Sequence, residues 1–562
     1  MSRVVSPRPQ VVLSDRAVVA AALATAAGAR IGPALPALLG VAAAVVALAR
    51  PRATVVVVCL FVVASVLTTR ASAGLHPPVV GPWEGWVTLL DDPTPSLGGV
   101  RVSARLQGSH LQVSASGRPA WRLEGLSAGE RVRVKGSVST IAPPMPGWMR
   151  ARHLAGRLRV TAVDRVERGS PLWAAANAVR QTLRRGALPL SRRDRPLFSG
   201  FVLGDDRGQA PEVADDFRAA GLTHLLVVSG QNVAFVLTIA SPLLRRLGRR
   251  SRVVVVLAVL SGFAILTRLE PSVLRAVAMA STVVLARHFG RIASPLRVLA
   301  ASSLALILID PLLVWSVGFG LSVGACAGIA LLSRPIEGHL RGPRWLVEPL
   351  AVTLAAQVGT APVLLSLFGG IPLASLPANL LALPAAEPLM VWGMTAGLLA
   401  GVVPRVIARM LHIPTRVMIW WIAGVARVVG GLPLGTVGGT VAVTAALLLL
   451  AAVVSRQRGL GGVETIGSDD SPTPPTVPGR GRSGAALVVL TALLWFGARL
   501  VGPFPVGTDS ARPPRHRVLA FGKTADTGDI APNFYQLLSS LRRFNLHCWA
   551  GIALVIGEIG PR

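Results

Sequence analysis

The polar residues most able to do chemistry lie in one segment, residues 203–235, which reads LGDDRGQAPEVADDFRAAGLTHLLVVSGQNVAF. Its second half is an apolar run that contains Ser229, Gly230, Gln231 and Asn232. A charge at membrane depth costs about 2.5 to 3.5 kcal/mol, so polar groups there face a cavity, a partner or the interface. We expect Gly230 to let the helix unwind and expose backbone groups to a water-filled path. Hydrogen bonding between helices is the alternative.

The first half of this segment is a turn that leads into a short helix. Asp205 and Arg207 precede Pro211, and Asp215 falls in the first turns of the expected helix, where acids interact favourably with the helix dipole. We expect the acids to orient Arg207 and the turn, with helix capping and solvation as the alternative. His224 follows at the start of the apolar run.

Further polar side chains interrupt later apolar runs. Arg275 lies about one helical turn inside its run, where it either reaches back to the membrane surface or faces an anionic substrate. Arg268 and Glu270 stand before Pro271 at a span boundary, and we expect them to form a surface ion pair. The candidate residues of a substrate path are Asp205, Arg207, Asp215, His224, Ser229, Gly230, Gln231, Asn232, Arg275, Gln357 and Asn379.

The sequence offers little for catalysis. It contains no HxHxD, HExxH, Walker or GxSxG motif, and its nine histidines are scattered. Cys59, Cys326 and Cys548 form neither a CxxC motif nor a disulfide framework. We therefore expect a protein that is not an enzyme and that uses no metal and no cofactor.

Composition determines the fold class. Of the 562 residues, 52% are hydrophobic and 15% are charged, and the mean hydropathy is +0.59. Apolar blocks of about 20 residues, long enough to cross a bilayer, recur along the chain. These features predict a polytopic α-helical membrane protein without a cleavable signal peptide. The net charge of +31 is almost entirely arginine in short connections, which indicates a positive-inside topology or, alternatively, a preference for anionic partners.

The hydropathy pattern divides the chain into successive parts. Membrane segments are expected over residues 1–70 and 197–455, followed by a disordered linker over 459–483, a last membrane helix over 484–501 and a short tail over 502–562. About thirteen spans result, with the N-terminus cytoplasmic and the C-terminus outside. The prolines of LPANLLALPAAEP predict a broken or re-entrant segment in place of a crossing helix.

Residues 75–167 alternate apolar and polar side chains, as in RVRVKGSVS, with Gly, Pro and Ser between the runs. Five short strands of this kind predict a small external β-barrel of the oligonucleotide-binding (OB) type. Trp83, Trp86 and Trp121 lie near its basic residues, a combination that binds single-stranded nucleic acid through phosphate contacts and base stacking. A solvated sheet face is the equally weighted alternative. The candidate DNA-binding residues are Arg101, Arg105, Arg131, Arg133 and Lys135.

Residues 172–187, LWAAANAVRQTLRRGA, have the pattern of an amphipathic helix. Leu172, Ala176, Val179 and Leu183 share one face, and the arginines are expected elsewhere. Such a helix is expected to lie along the membrane surface.

Four stretches together resemble the ComEC family of competence proteins. They are LGDDRGQAPEVADDFRAAGLTHLLVVSGQNV, LRAVAMA with Arg275, DPLLVWSVGFGLSVGACAGI, and AQVGTAPVLLSLFGGIPLASLPANLLALPAAEP. The resemblance covers residues 17 to 500 and implies an inner-membrane channel that imports single-stranded DNA during natural transformation. It also implies a DNA receptor and a cytoplasmic ATP-driven helicase as partners, and leaves a homo-oligomer open.

The sequence departs from the family pattern at two places. Asn232 stands where the family usually has a histidine. The metal-binding histidines of the family's external metallo-β-lactamase-like domain have no counterpart, and the tail after Arg517 suggests a truncated or frameshifted end. A transporter of a small solute or lipid-linked polymer, and an inactive truncated channel, are the alternative functions.

Overall fold

The computed structural model describes residues 15–31, 52–96, 98–205, 207–227, 230–291 and 294–438. Within these residues, four helices are long and apolar enough to cross a membrane, and two shorter helices are also apolar. The protein is therefore a membrane protein with a sheet-rich domain near its N-terminus. The expected linker at 459–483, the helix at 484–501, the tail at 502–562 and Ser229 lie outside the described residues.

Among the described residues up to Gly186, two N-terminal helices precede the β domain and the helix that follows it. In chain order the elements are α1 (Asp15–Ile31), α2 (Arg52–Ala73), β1 (Gly81–Leu89), β2 (Thr94–Ser96), β3 (Gly99–Leu106), β4 (Ser109–Ser116), α3 (Arg118–Glu124), β5 (Arg131–Thr140), α4 (Gly147–Ala151), β6 (Leu154–Glu167) and α5 (Pro171–Gly186).

From Asp194 to Gly438, the described residues are helical apart from two short strands. They comprise α6 (Asp194–Leu203), α7 (Pro211–Ala219), a 3-10 helix (Thr223–Leu226), α8 (Gly230–Arg245), α9 (Arg249–Leu266), α10 (Pro271–His288), α11 (Pro295–Ile309), a 3-10 helix (Pro311–Trp315), α12 (Val317–Glu337), α13 (Arg344–Phe368), β7 (Gly370–Pro372), α14 (Ser375–Ala400), α15 (Arg405–Leu411), α16 (Ile413–Gly430) and β8 (Thr436–Gly438).

The β domain is one sheet whose strands follow the order β1-β5-β6-β4-β3-β2. Strand β4 pairs with β6 in parallel, whereas the other pairings are antiparallel. Strand β1 also pairs with β3, at Thr88↔Arg105 and Leu89↔Ala104. Alternation buries Val132 and Val134 of β5 and leaves the basic side chains between them exposed. The inward valines, leucines and alanines form the core of this domain.

Helix α5 connects the β domain to the helical domain, and its buried face differs from the expected one. Leu172 is 69% exposed and Val179 is 37% exposed, whereas Arg180 is buried beside Ala176 and Leu183. The periodicity of the apolar residues by itself predicts that arginines are exposed. A buried arginine is stable only where partners neutralise its charge, and the partners of Arg180 lie far away in the sequence, so the local pattern could not indicate its burial.

The LPANLLALPAAEP segment belongs to a continuous helix, so the expected break is wrong. Helix α14 runs through Pro384 and Pro388 without interruption. Its buried side includes Ala378, Ala382 and Leu389, which pack in the main core of the helical domain. Tertiary packing of this face compensates for the hydrogen bonds that the prolines remove.

Helices α12 and α13 approach each other closely at glycines. A Cβ on Gly328 would lie 2.2 Å from the Ala355 carbonyl oxygen, and one on Gly359 would lie 2.2 Å from the Gly324 carbonyl oxygen. Small residues at such crossings let two backbones come into contact, which is a common packing mode between membrane helices.

Candidate functional site

The turn after α6 is built around a carboxylate and an arginine. Gly204 ends the helix with φ of 65°, a left-handed conformation that glycine adopts without strain. Arg207 then donates from Nε and Nη2 to the two oxygens of Asp205, at 2.6 and 2.7 Å. This fork is the geometry in which a guanidinium binds a carboxylate most strongly. The acid thus orients Arg207, although the sequence did not reveal what else the turn contacts.

The β domain contributes a second carboxylate, Asp92, to the same place. Its side chain accepts from Arg268 at 2.6 Å and from Arg180 and Arg207 at 3.1 Å each. The backbone N–H of Ala128 donates to it at 2.9 Å. We call this set the junction cluster, since it joins the β domain to α5 and to the turns after α6 and α9; its members are Asp92, Arg180, Arg184, Asp205, Arg207 and Arg268.

The junction cluster is largely withdrawn from solvent. Side-chain exposure is 7% for Asp92, 8% for Asp205 and 4% for Arg180, rising to 36% for Arg184 at the edge. Burial by itself would raise the pKa of both carboxyl groups, but the surrounding guanidinium groups outweigh it and lower both pKa values. Burial lowers the pKa of Arg180 to about 10. All three groups therefore remain charged at neutral pH.

These lowered pKa values predict how the junction responds to acid. A carboxyl group with a lower pKa in the folded state stabilises that state above its unfolded pKa, about 4, and loses this effect as pH falls further. We therefore expect the junction to be unchanged between pH 8 and 5 and to open below about pH 4. Hydrogen exchange of residues 88–93 and 203–205 measures this opening. An opening midpoint near pH 6 would contradict the prediction, because it would assign control to a histidine.

Arg268 corrects an expectation from the sequence. The prediction of a surface ion pair between Arg268 and Glu270 is wrong, because the Arg268 side chain is buried and donates a hydrogen bond to Asp92, 176 residues earlier in the chain. The guanidinium carbon of Arg268 lies 5.6 Å from the centroid of the Trp173 ring, within the range of a cation–π interaction. Arg268 and Leu269 both have positive φ, 62° and 57°, a conformation that is costly for non-glycine residues.

A second contact joins the two domains at α4. The Nε2 atom of His153 lies 3.0 Å from the Oδ1 atom of Asp310. Trp315 is flanked by Arg150 of α4 and Arg30 of α1, at 4.9 and 3.5 Å from the ring centroid. The β domain is thus attached to the helical domain by the junction cluster and by this histidine–aspartate pair.

Within the helical domain, the start of α8 has unusual polarity. The helix begins at Gly230, and the half-buried amide side chain of Gln231 follows directly. Asn232 is fully buried, and neither its amide nitrogen nor its oxygen has a hydrogen-bond partner among the described residues. An amide buried without partners is costly, which is typical of functional positions.

Arg275 on α10 lies directly beside this start of α8. It is 5% exposed, and a Cβ on Gly230 would stand 3.1 Å from its Nη2 atom. Arg275 donates to Ser322 at 2.6 Å and contacts the sulfur atoms of Met279 and Cys326 at 3.0 Å each. No carboxylate pairs with it within the described part of the chain. Arg275 is therefore a buried cation whose contacts are neutral.

The remaining predicted path residues lie apart from this centre or at its edge. Gln357 donates to Ser375 at 2.8 Å, and Asn379 on the same helix as Ser375 has an oxygen without a described partner. Asp215 is exposed and pairs with Arg218, and His224 is exposed with its ring 3.2 Å from the Gly221 carbonyl oxygen. The structure does not bring Asp215 or His224 to the junction cluster.

Two groups of basic residues on the strands of the β domain differ in their acidic neighbours. Arg133 and Lys135 both pair with Glu84, at 3.1 and 3.2 Å, and Arg131 pairs with Glu167 at 3.4 Å. A second group is exposed and forms no ion pair with any described residue; it consists of Arg101, Arg105, Arg157 and Arg159.

The second group lies on adjacent strands. In the register, Ser114 of β4 stands between Arg101 of β3 and Arg159 of β6, and Gln112 stands beside Arg157. We call the surface formed by Arg101, Arg105, Arg157 and Arg159 the basic face. Trp121, 79% exposed on α3, follows the end of β4 nearest to Arg101 and Arg159.

The fold and these sites define a membrane protein that carries a β domain and has charged and amide groups buried among its helices. Comparison with known families identifies the helical part. Residues 201–459 match the family model described as "Competence protein".

Three relatives match parts of the chain. ComE operon protein 3 of Bacillus subtilis (strain 168) is 30% identical over 207 residues, covering 36% of this chain and 26% of that protein. An uncharacterized protein of Aquifex aeolicus (strain VF5) is 32% identical over 35% of this chain and 45% of its own length. The uncharacterized protein YcaI of Escherichia coli (strain K12) is 27% identical over 34% of this chain and 27% of its own length. The chain thus spans less than half the length of each relative, and no solved structure matches it significantly.

Proposed function

We propose that this protein is an inner-membrane channel that imports single-stranded DNA during natural transformation. The competence family match over residues 201–459 supports a role in DNA uptake. In this proposal the chain is a transport protein without catalytic activity. It crosses the membrane several times with its N-terminus in the cytoplasm, and it works with a DNA receptor, a cytoplasmic ATP-driven helicase and further copies of itself.

The observation that carries the proposal is Arg275. A buried arginine in a membrane domain normally faces a carboxylate or a water-filled cavity, and among the described residues this one contacts only neutral groups. Asn232, with an unsatisfied amide, lies two residues beyond Gly230, which abuts Arg275. A passing phosphodiester would neutralise the guanidinium, and an amide can donate to phosphate or to a base. We therefore assign Gly230, Asn232 and Arg275 to the wall of the DNA path.

In the same proposal, the β domain receives DNA outside the membrane. Its β1–β3 pairing and its parallel β4–β6 pairing support a small closed barrel of the OB type. The basic face pairs with no acid in the part of the chain that the structure describes, whereas Arg131, Arg133 and Lys135 have acidic neighbours that weaken their attraction for phosphate. We propose that the basic face contacts the phosphates and that Trp121 offers a stacking surface for bases.

Binding of single-stranded DNA to the purified full chain tests this function, since a carrier of small solutes has no need of it. We expect the triple variant Arg101→Gln, Arg157→Gln, Arg159→Gln to lower the slope of log K against log salt by about 2, because each lost phosphate contact removes about 0.7. Affinity near physiological salt should fall at least about tenfold. Fluorescence anisotropy across a salt series measures both quantities.

The matched control removes the same charge elsewhere on the domain. The variant Arg131→Gln, Arg133→Gln, Lys135→Gln should change affinity less than about twofold, because these side chains already pair with acids. Equal losses in the two triple variants would contradict the basic face. Absence of any salt-dependent binding by the unaltered chain would count against DNA as the substrate.

A further inference from the structure

The junction cluster brings together parts of the chain that have no sequence motif in common. Asp92 belongs to the β domain, Arg180 and Arg184 to α5, Asp205 and Arg207 to the turn after α6, and Arg268 to the turn after α9. Asp92 is the only β-domain side chain in the cluster, and four guanidinium groups converge on its carboxylate. The Asp92 carboxylate thus binds arginine side chains from three separate elements: α5, the turn after α6 and the turn after α9.

From this arrangement we propose that Asp92 is a positioning residue for import: it holds the β domain at a fixed orientation and sets the geometry of the turn that precedes α10. The inference rests on the DNA-import function proposed above. It assigns to the β domain a role beyond DNA capture, since one of its side chains completes the structure of the helical domain.

The turn before α10 shows why an external restraint is needed. Arg268 and Leu269 both hold left-handed backbone conformations, which persist in non-glycine residues only where the surroundings enforce them. The 2.6 Å bond from Arg268 to Asp92 provides such a restraint. Helix α10 begins at Pro271, directly after this turn, and Arg275 lies in its second turn. The position of Arg275 is therefore linked through a few residues to a carboxylate of the β domain.

The turn after α6 is restrained in a similar way. Arg207 spans the two domains, since it donates to Asp205 within its own turn and to Asp92 and the Pro93 carbonyl oxygen of the β domain. Arg180 adds a bond to the carbonyl oxygen of Leu266, at 2.9 Å, next to the turn before α10. Loss of the Asp92 charge would therefore loosen both turns at once.

The first test is Asp92→Asn in the full-length chain, compared with Asp91→Asn. Asp91 is the adjacent acid, is only half-buried and forms no ion pair with a described residue, so it is a matched control. We expect Asp92→Asn to reduce DNA import at least tenfold and to leave DNA affinity within twofold. Asp91→Asn should leave both unchanged, and Asp92→Glu should recover part of the import.

The second test separates positioning from a general loss of structure. The starting chain has its native cysteines replaced and carries cysteines in place of His153 and Asp310, and its import must be intact. A short bis-maleimide then joins the two introduced cysteines. We expect Asp92→Asn to slow this cross-linking at least fivefold. Once the link has formed, import by the Asp92→Asn chain should rise again.

The outcomes distinguish the inference from the function on which it rests. Normal import by Asp92→Asn would overturn the positioning role and leave DNA import intact. A parallel loss of DNA affinity and import would also overturn it, because Asp92 would then act in capture. Failure of the formed cross-link to raise import would overturn it as well. If the unaltered chain imports no DNA, the proposed function itself fails.

Discussion

Replacement of Arg275 by glutamine should reduce DNA import about 100-fold while the protein still inserts in the membrane. Glutamine keeps hydrogen-bonding capacity toward Ser322 but removes the charge that would attract a phosphodiester. A charge-assisted contact contributes about 1.5 to 3 kcal/mol, and 2.7 kcal/mol corresponds to a factor of about 100. Import of labelled DNA, normalised to the amount of inserted protein, measures the effect.

Two further variants define what Arg275 contributes. Arg275→Lys keeps the charge and loses the planar fork, so import should recover in part. Arg287→Gln removes an exposed charge from the other end of the same helix and should leave import unchanged. Import by Arg275→Gln at the level of Arg287→Gln would contradict the assignment of Arg275 to the DNA path.

A second large effect is expected at the contact between α12 and α13. Gly328→Ala would place a Cβ 2.2 Å from the Ala355 carbonyl oxygen, so the two helices must separate. Overpacking of this kind costs about 1 to 3 kcal/mol, and the rigid backbone contact places this position at the upper end of that range. We expect a lower midpoint of thermal unfolding for the purified protein and less inserted protein in cells.

Gly262→Ala is the matched control for this prediction. Gly262 also lies within a helix, but a Cβ there would meet nothing within 4 Å. Because alanine favours helix over glycine by about 1 kcal/mol, this variant should be neutral or slightly stabilising. Equal unfolding midpoints for Gly328→Ala and Gly262→Ala would show that the close helix contact is absent in the folded protein.

Local patterns in the sequence were informative where a local rule determines the structure. The alternation in RVRVKGSVS indicated a strand with valines inward, and β5 buries Val132 and Val134 accordingly. The polarity around Gly230 and the position of Arg275 one turn inside an apolar run drew attention to residues that the structure places side by side.

The junction cluster could not have been predicted in the same way. Asp92 and Arg268 are 176 residues apart, and neither has a distinctive local pattern. Arg180 was expected on a polar face because helical periodicity treats arginine as exposed, whereas carboxylates from two other elements bury it. Similarly, the prolines of α14 predicted a break because their local cost is visible in sequence and the packing that offsets it is not.

The most direct test of DNA import uses competent cells that lack their own channel gene and carry this chain, with membrane insertion verified. Labelled DNA is supplied outside, external DNA is digested with nuclease, and the protected cytoplasmic strand is quantified. We expect protected single strand with the unaltered chain and about 100-fold less with Arg275→Gln. No protected strand despite correct insertion, or equal amounts from both chains, would contradict a DNA path lined by Arg275.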